Sequence, residues 1–332
     1  YYMPYDKRLY EQAEQELDRR RIAAENRLDF NIAAAERKIP EIAEIRRQLS
    51  SASIELSKLI IKRDGDFRQN FEKLREQNLQ GQAMIKNLLA KNGLPENYLE
   101  AQYSCQICND KGYAGGERCV CYKELLNKLA VEKLNSEANM PKCDFKHFSL
   151  SYYDGKSENG MDVRKKMEEN LKFCLDYADS FSRNSSSLFL LGKTGVGKTH
   201  ISLSIAKRVT ERGYTAAYGS LLNYLRIIEK EHFGRAEDNE TDTMQVLIST
   251  DLLVLDDLGS EFRSNFYESA LYNIINSRIN LGLPTIISSN LSTTELQRNY
   301  NDRIISRIFG TFNTLLFVGE DVRQIKRLRN EI

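Results

Sequence analysis

An excess of one charge, a long apolar run and a low-complexity tract are all missing from this 332-residue chain. Its 48 Lys and Arg stand against 47 Asp and Glu, a formal charge of +1, which excludes a generally basic nucleic-acid coat and an acidic tail protein. The balance is also local, with 18 basic and 17 acidic side chains in residues 1–100. Any nucleic-acid contact must therefore come from a patch. The longest apolar runs, such as Leu188–Leu191 and Leu252–Leu255, fall far short of the ~18 residues that a membrane helix needs. No membrane contact is expected. Tyr1-Tyr2-Met3-Pro4 carries no apolar stretch of signal-peptide kind, and a start at Tyr1 suggests that the true start lies upstream. Histidine is scarce, with 3 residues, and His147 and His232 have no partner at metal-ligand spacing. The 6 cysteines, in a chain without a secretion signal, point to a reducing, cytoplasmic setting.

What is present divides into an N-terminal helical and cysteine-bearing part and an α/β part, with the division near residue 150. Residues 1–98 are rich in Glu, Arg, Ala and Leu, as helices are. Heptad pairs run Ala24/Leu28, Asn31/Ala35, Lys38/Ile42, Ile45/Leu49, Ala52/Leu56 and Leu59/Arg63, with polar residues at two of the first positions. Pro40 predicts a helix start, Asp64-Gly65 a break and Asn92-Gly93 a helix end. The pattern suits either a helical bundle or an amphipathic arm for a partner. Residues 99–125 form a cysteine module, and 126–150 a connecting segment through Pro141 that follows a helix from Tyr122 to about Asn135.

Over 151–332 short apolar runs alternate with helical segments. Strands are predicted at Leu188–Leu191, Thr215–Tyr218, Asp251–Leu255, Thr285–Ser289 and Leu315–Val318. Helices are predicted at 161–180, 198–212, 220–231 and 266–281 and from Asp321, and a polar loop around Gly234–Asn239. This alternation implies a parallel sheet covered on both faces.

Gly192-Lys193-Thr194-Gly195-Val196-Gly197-Lys198-Thr199 fits the phosphate-binding pattern G-x-x-x-x-G-K-[ST] in full, between a predicted strand and a predicted helix. Its glycines let backbone N–H groups curl around phosphates, and the helix N-terminus adds a positive dipole. Lys198 would reach the β- and γ-phosphates of ATP, and the Thr199 hydroxyl would ligate Mg²⁺. The run Leu252–Leu255 ends in Asp256 and Asp257. Asp256 would hold the metal, and Asp257 would orient or deprotonate a water. Asn290, ending the last apolar strand but one, could orient the same water. His200 follows the loop and packs in the helix or borders the nucleotide. Arg303, Arg307 and Arg323 could clamp phosphate charge, one of them from a second subunit. Spacing alone does not choose between that role and surface ion pairs.

Cys105-x2-Cys108 and Cys119-x-Cys121 can give four thiolates to one ion. Thiolates at this density select Zn²⁺, with an iron–sulfur cluster or unligated redox thiols as the alternatives. Structural zinc would fold a module that has little core of its own. Cys143 and Cys174 are isolated and are read as packing residues.

With these residues in place the chain resembles the DnaC/IstB-like branch of the AAA+ ATPases, which includes bacterial replicative-helicase loaders. The resemblance rests on GKTGVGKTH from Gly192, DLLVLDDLGSE from Asp251, TIISSNL from Thr285, DRIISRIFG from Asp302 and GEDVR from Gly319. The stretch Tyr103–Tyr122 also looks like the cysteine region of loader-like proteins from Gram-positive bacteria. The resemblance implies an AAA+ P-loop ATPase in which Asn290 is sensor 1, Arg307 the arginine finger with Arg303 beside it, and Arg323 sensor 2. Asp257 stands where most such enzymes have Glu, which implies slow hydrolysis. Only 42 residues follow Asn290, too few for a full helical lid.

The branch also implies a grip on single-stranded DNA by the helix after the second strand. Tyr224, Arg226 and Lys230 mix aromatic and basic character there, as base stacking and phosphate neutralisation require. The implied activity is ATP-dependent loading of a replicative, DnaB-type DNA helicase held by the N-terminal region, with self-association through the ATPase domain. Two alternatives stay open: an IstB-like transposition helper, and a zinc-dependent nucleic-acid scaffold with a vestigial ATPase.

Overall fold

The computed structural model describes residues 5–62, 67–138, 143–155, 160–234, 241–262 and 264–331. Tyr1–Pro4, the break at Asp64-Gly65, the connection through Pro141 and the polar loop after Gly234 lie outside them, as do the side chains of Ala52, Leu56, Leu59 and Arg63. Contacts divide the chain into two compact units, residues 14–122, and residues 123–332 together with the first 13.

α1 (Lys7–Lys38), most of which lies in the first unit, stops two residues before Pro40, where α2 (Pro40–Lys62) begins. Proline fits a first helical turn, whose N–H groups have no helical acceptor, and it would clash in a helix interior. α3 (Phe67–Lys91) ends just before Asn92-Gly93, and Gly93 takes the left-handed φ of 72° that closes a helix. Ala35, Ile39, Ile42 and Leu89 form a small buried core, with Ile85, Leu88, Leu94, Tyr98 and Leu99 packed against it. The polar heptad residues have partners of their own. Asn31 donates to the Tyr98 carbonyl (3.1 Å) and Lys38 to the Asn92 carbonyl (3.2 Å), so both tie the stripe to the chain leaving α3. A two-stranded hairpin, β1 (Tyr113–Ala114) and β2 (Glu117–Arg118), turns through Gly115-Gly116 in the cysteine module.

The second unit opens its helices with α4 (Val120–Glu137), longer than the predicted 122–135, and α5 (Val163–Asp179). Five parallel strands follow, β3 (Leu188–Leu191), β4 (Ala216–Ser220), β5 (Leu252–Leu258), β6 (Thr285–Ser289) and β7 (Asn313–Leu316), in the order β4-β5-β6-β3-β7. Between them lie α6 (Lys198–Glu211), α7 (Leu221–Phe233), α8 (Thr243–Ser249), α9 (Asn265–Asn280), α10 (Thr293–Asn299) and α11 (Asp302–Thr311), with α12 (Val322–Leu328) last. This is the expected parallel sheet with helices packed around it. Among the described residues no separate helical lid follows Asn290, because β7 returns to the sheet beside β3.

The apolar runs form the strands because both sheet faces are covered. Leu188, Leu190, Leu252, Val254 and Ile286 pack with Ile201, Ile205 and Val209 of α6 and Met167 and Cys174 of α5 in one core. Cys174 is a packing residue, as expected. The last strand sits two residues earlier than predicted, since pairing with β3 sets its register at Leu188↔Asn313. α8 was not foreseen. Its final carbonyls, at Leu247 and Ile248, accept from the fully buried Arg278, which also reaches Thr250 and Pro284 and so fastens the starts of β5 and β6. No helix among the described residues is long and apolar enough to cross a membrane.

Candidate functional site

The C-terminal ends of the parallel strands carry the chemistry, as they do in open α/β sheets. The loop between β3 and α6 turns through Gly195 (φ 80°) and Gly197 (φ 90°). A side chain at Gly195 would also strike the Asp321 carboxylate, which caps α12. Behind the loop, the Tyr153 hydroxyl donates to the Val196 carbonyl (3.2 Å), and the Val322 N–H donates to the Gly195 carbonyl (3.1 Å). Lys198 is buried at the start of α6 and donates to the carbonyls of Gly192 (2.7 Å) and Lys193 (2.8 Å). Burial pulls its ammonium pKa down, against the opposing pull of Asp257 and Asp256.

Asp256 and Asp257 lie at a bulge near the end of β5. Leu255 pairs with Ile287 and Leu258 with Ser289, so two residues of β5 face one of β6, which is Ser288. Asp257 takes a left-handed φ of 61° there and is exposed, whereas Asp256 is only 4% exposed. The Thr199 hydroxyl donates to Asp256 Oδ2 (2.8 Å) and the Ser288 hydroxyl to Asp256 Oδ1 (2.6 Å). Burial raises the Asp256 pKa, the Asp257 charge adds to the rise, and the two hydroxyls oppose it.

A cavity of about 530 Å³ opens over the loop. Of the sequence-predicted residues, Thr194, Gly195, Gly197, Lys198, Thr199, His200, Asp257, Asn290 and Arg323 line it. Asn290 Nδ2 lies 3.4 Å from the Thr194 hydroxyl. Gly192, Lys193, Val196 and Asp256 are not part of the lining, and Asp256 meets it through Thr199. His200 is tied by Nε2 to the Asp144 carbonyl (2.8 Å) and meets the Phe148 ring edge-on. Sequence reasoning missed the part of the lining contributed by His147, Phe148, Ser149, Tyr152 and Tyr153. The Tyr152-Tyr153 pair was its visible signal. Cys143, read as a packing residue, also lines the cavity.

Arg307 is not part of this lining. It is half-buried on α11, with its guanidinium over the Tyr272 ring (5.3 Å) and Nη2 donating to the Tyr272 hydroxyl (3.1 Å). Arg303, one turn earlier, is exposed.

The DNA reading needs a correction at Tyr224. That residue is 2% exposed and its ring lies under Gly219 in the core, so it cannot stack on a base. Arg226 and Lys230 are exposed, and Phe233 at the end of the same helix is 69% exposed. His232, Phe233 and Phe266 form an aromatic cluster, with ring centroids 4.7–5.2 Å apart.

In the first unit the hairpin brings both cysteine pairs together. Cys105 and Cys119 sulfurs are 3.8 Å apart, those of Cys108 and Cys121 3.4 Å, and all four lie within 4.8 Å of one another. A tetrahedral ion with metal–sulfur bonds of about 2.3 Å needs sulfurs about 3.8 Å apart. The buried Asp110 carboxylate accepts from the N–H groups of Ser104 (2.8 Å) and Cys105 (2.9 Å), and the Gly112 N–H points at Cys108 Sγ (3.4 Å). Backbone donation, chiefly from Cys108, holds the Cys105 pKa down at about 7, while burial pushes that of Cys121 up.

A family profile described as IstB-like ATP binding protein matches residues 116–313, more than half of the chain. The chain belongs to this family. Similar proteins include the replicative helicase loader DnaC of Buchnera aphidicola subsp. Schizaphis graminum, 23% identical over 186 residues, which are 56% of this chain and 71% of that protein. The replicative helicase loader DnaC of Escherichia coli (strain K12) is 24% identical over 132 residues, 40% of this chain and 54% of that protein. The chain thus spans about half the length of the E. coli relative. A solved structure of the DnaC helicase loader aligns with 52% of this chain and 98% of its own, at 22% identity and a TM-score of 0.44.

Proposed function

We propose that this chain is an ATP-dependent DNA replication protein that loads a replicative DNA helicase. The observation that carries the reading is the meeting of Lys198, Thr199, Asp257, Asn290 and Arg323 at one cavity, in a chain of an ATP-binding family. The loop N–H groups and Lys198 would hold the phosphates of ATP, with Arg323 beside them. Thr199 and Asp256 would hold Mg²⁺, which when bound would neutralise phosphate charge. Asn290 would orient the attacking water and Asp257 take its proton, at a slow rate. Because Arg307 stands outside the cavity of its own chain, it would act in the site of a second copy. That arrangement makes ATP binding a signal for self-association.

The four cysteines fit structural Zn²⁺, whose role would be to fold the module that, with the N-terminal helices, holds the helicase. Single-stranded DNA would lie along α7, on Arg226 and Lys230. A transposition helper is the second reading, favoured by the IstB-like description of the family.

The deciding experiment captures purified partners on the immobilised full chain. With ATP and Mg²⁺ the wild type should retain the replicative helicase of its host and not a transposase. Lys198→Ala should lower nucleotide affinity by about tenfold or more and remove the ATP dependence of capture. Retention of the transposase alone would move the chain to the second reading. Nucleotide and DNA binding that ignore Lys198→Ala would leave a zinc scaffold. Metal analysis of the purified chain should give one zinc per molecule, with iron and sulfide absent.

A further inference from the structure

We propose that Ser288 is a positioning residue that aims both carboxylates near the end of β5, an inference that rests on the magnesium-nucleotide reading of the cavity. Ser288 is fully buried in β6, the strand between the phosphate-binding loop's strand β3 and the acidic strand β5. Its hydroxyl does two things at once. It donates to Asp256 Oδ1 (2.6 Å) and accepts from the Asp257 N–H (3.0 Å).

Each bond has a consequence for the site. Asp256 has its other oxygen on Thr199, so its carboxylate plane is held between β6 and the first turn of α6. Without Ser288 the buried carboxylate keeps one oxygen without a protein donor and is free to turn about its last torsion, which is broad for a carboxylate. The Asp257 N–H would otherwise lose its partner where the bulge removes the ladder bond. That bond holds the left-handed backbone at 61° that turns the Asp257 side chain out of the sheet and into the cavity. Asn290 directly follows β6, two residues beyond Ser288. Thus β6 carries the hydroxyl that sets the carboxylates and leads into the amide that lines the cavity.

Groups that orient a metal ligand by hydrogen bonding commonly change metal affinity by about 10–100-fold when removed. The test therefore measures binding of a fluorescent ATP analogue to wild type, Ser288→Ala and Ser288→Thr across a magnesium series and in EDTA, with amide exchange over Leu255–Gly259 in the ligand-free protein. Ser288→Ala should need about tenfold more Mg²⁺ for the same nucleotide affinity, with affinity in EDTA unchanged. It should also exchange faster over the bulge, lower kcat more than it changes KM, and be restored towards wild type by Ser288→Thr. A Ser288→Ala protein with wild-type magnesium requirement and wild-type exchange would overturn the proposal, as would equal loss of affinity with and without magnesium. A wild type that binds no nucleotide would defeat the functional reading instead. The exchange rates of the bulge, which need no ligand, would still decide what Ser288 holds.

Discussion

Asp256 and Asp257 are neighbours in sequence with different surroundings. Asp256 is buried and has a raised pKa, first from burial and then from the Asp257 charge. An acid whose folded pKa lies above its unfolded value binds protons more readily when folded, so its charged form costs stability at neutral pH. The cost fades as pH falls through the folded value. In nucleotide-free protein Asp256→Asn should therefore raise Tm near pH 7.5 by about 2–4 °C. The gain should shrink steadily as the buffer is taken down towards the ordinary carboxylate range. A gain that is constant, or that grows in acid, would show that burial is not what perturbs Asp256. Asp257 bears on the slow hydrolysis expected from its short side chain. Its backbone is left-handed, a conformation that Asp enters at lower cost than longer side chains do. The bulge thus favours Asp at this position.

Elements whose formation depends on composition were legible in the sequence, and those that depend on cross-strand register were not. The apolar runs at 188–191 and 285–289 formed strands with the predicted bounds, and Pro40 opened a helix. The bulge at Asp256–Asp257 left no mark in one strand, because it exists only against β6. The last strand was displaced for the same reason. Ser288 could have been noted from its two-residue step to Asn290, and Cys143 from no local pattern at all. Helix α7 shows how a face is misjudged when only residue type is counted. Tyr224 supplied the aromatic character in the sequence, yet Gly219 opens a core slot for its ring. The exposed set is Arg226, Lys230 and Phe233, spaced four and three apart on one side of the helix. If this stripe holds single-stranded DNA, Arg226→Ala with Lys230→Ala should flatten the slope of log affinity against log salt by about 1.4. Phe233→Ala should weaken binding by about 1–3 kcal/mol. Tyr224→Phe, which keeps the buried ring, should leave DNA affinity alone. DNA affinity that falls with Tyr224→Phe and ignores the other changes would reverse the assignment.

At the scale of the whole molecule, near-neutral charge accompanies two compact units with separate chemistry, four clustered thiols in one and a phosphate-binding loop in the other. Neither unit needs a broadly basic surface if DNA is held by a short stripe and only while ATP aligns several copies. On the proposed function, nucleotide state governs the transfer of a replicative helicase to DNA. The most direct measurement is deposition of the host's replicative helicase on closed circular single-stranded DNA, counted after removal of unbound protein. With wild-type chain and ATP·Mg²⁺ the helicase should be recovered on the circle. It should fall to the chain-free background with Lys198→Ala and with Arg307→Ala. Deposition that is equal with and without the chain, or unchanged by both substitutions, would contradict the account.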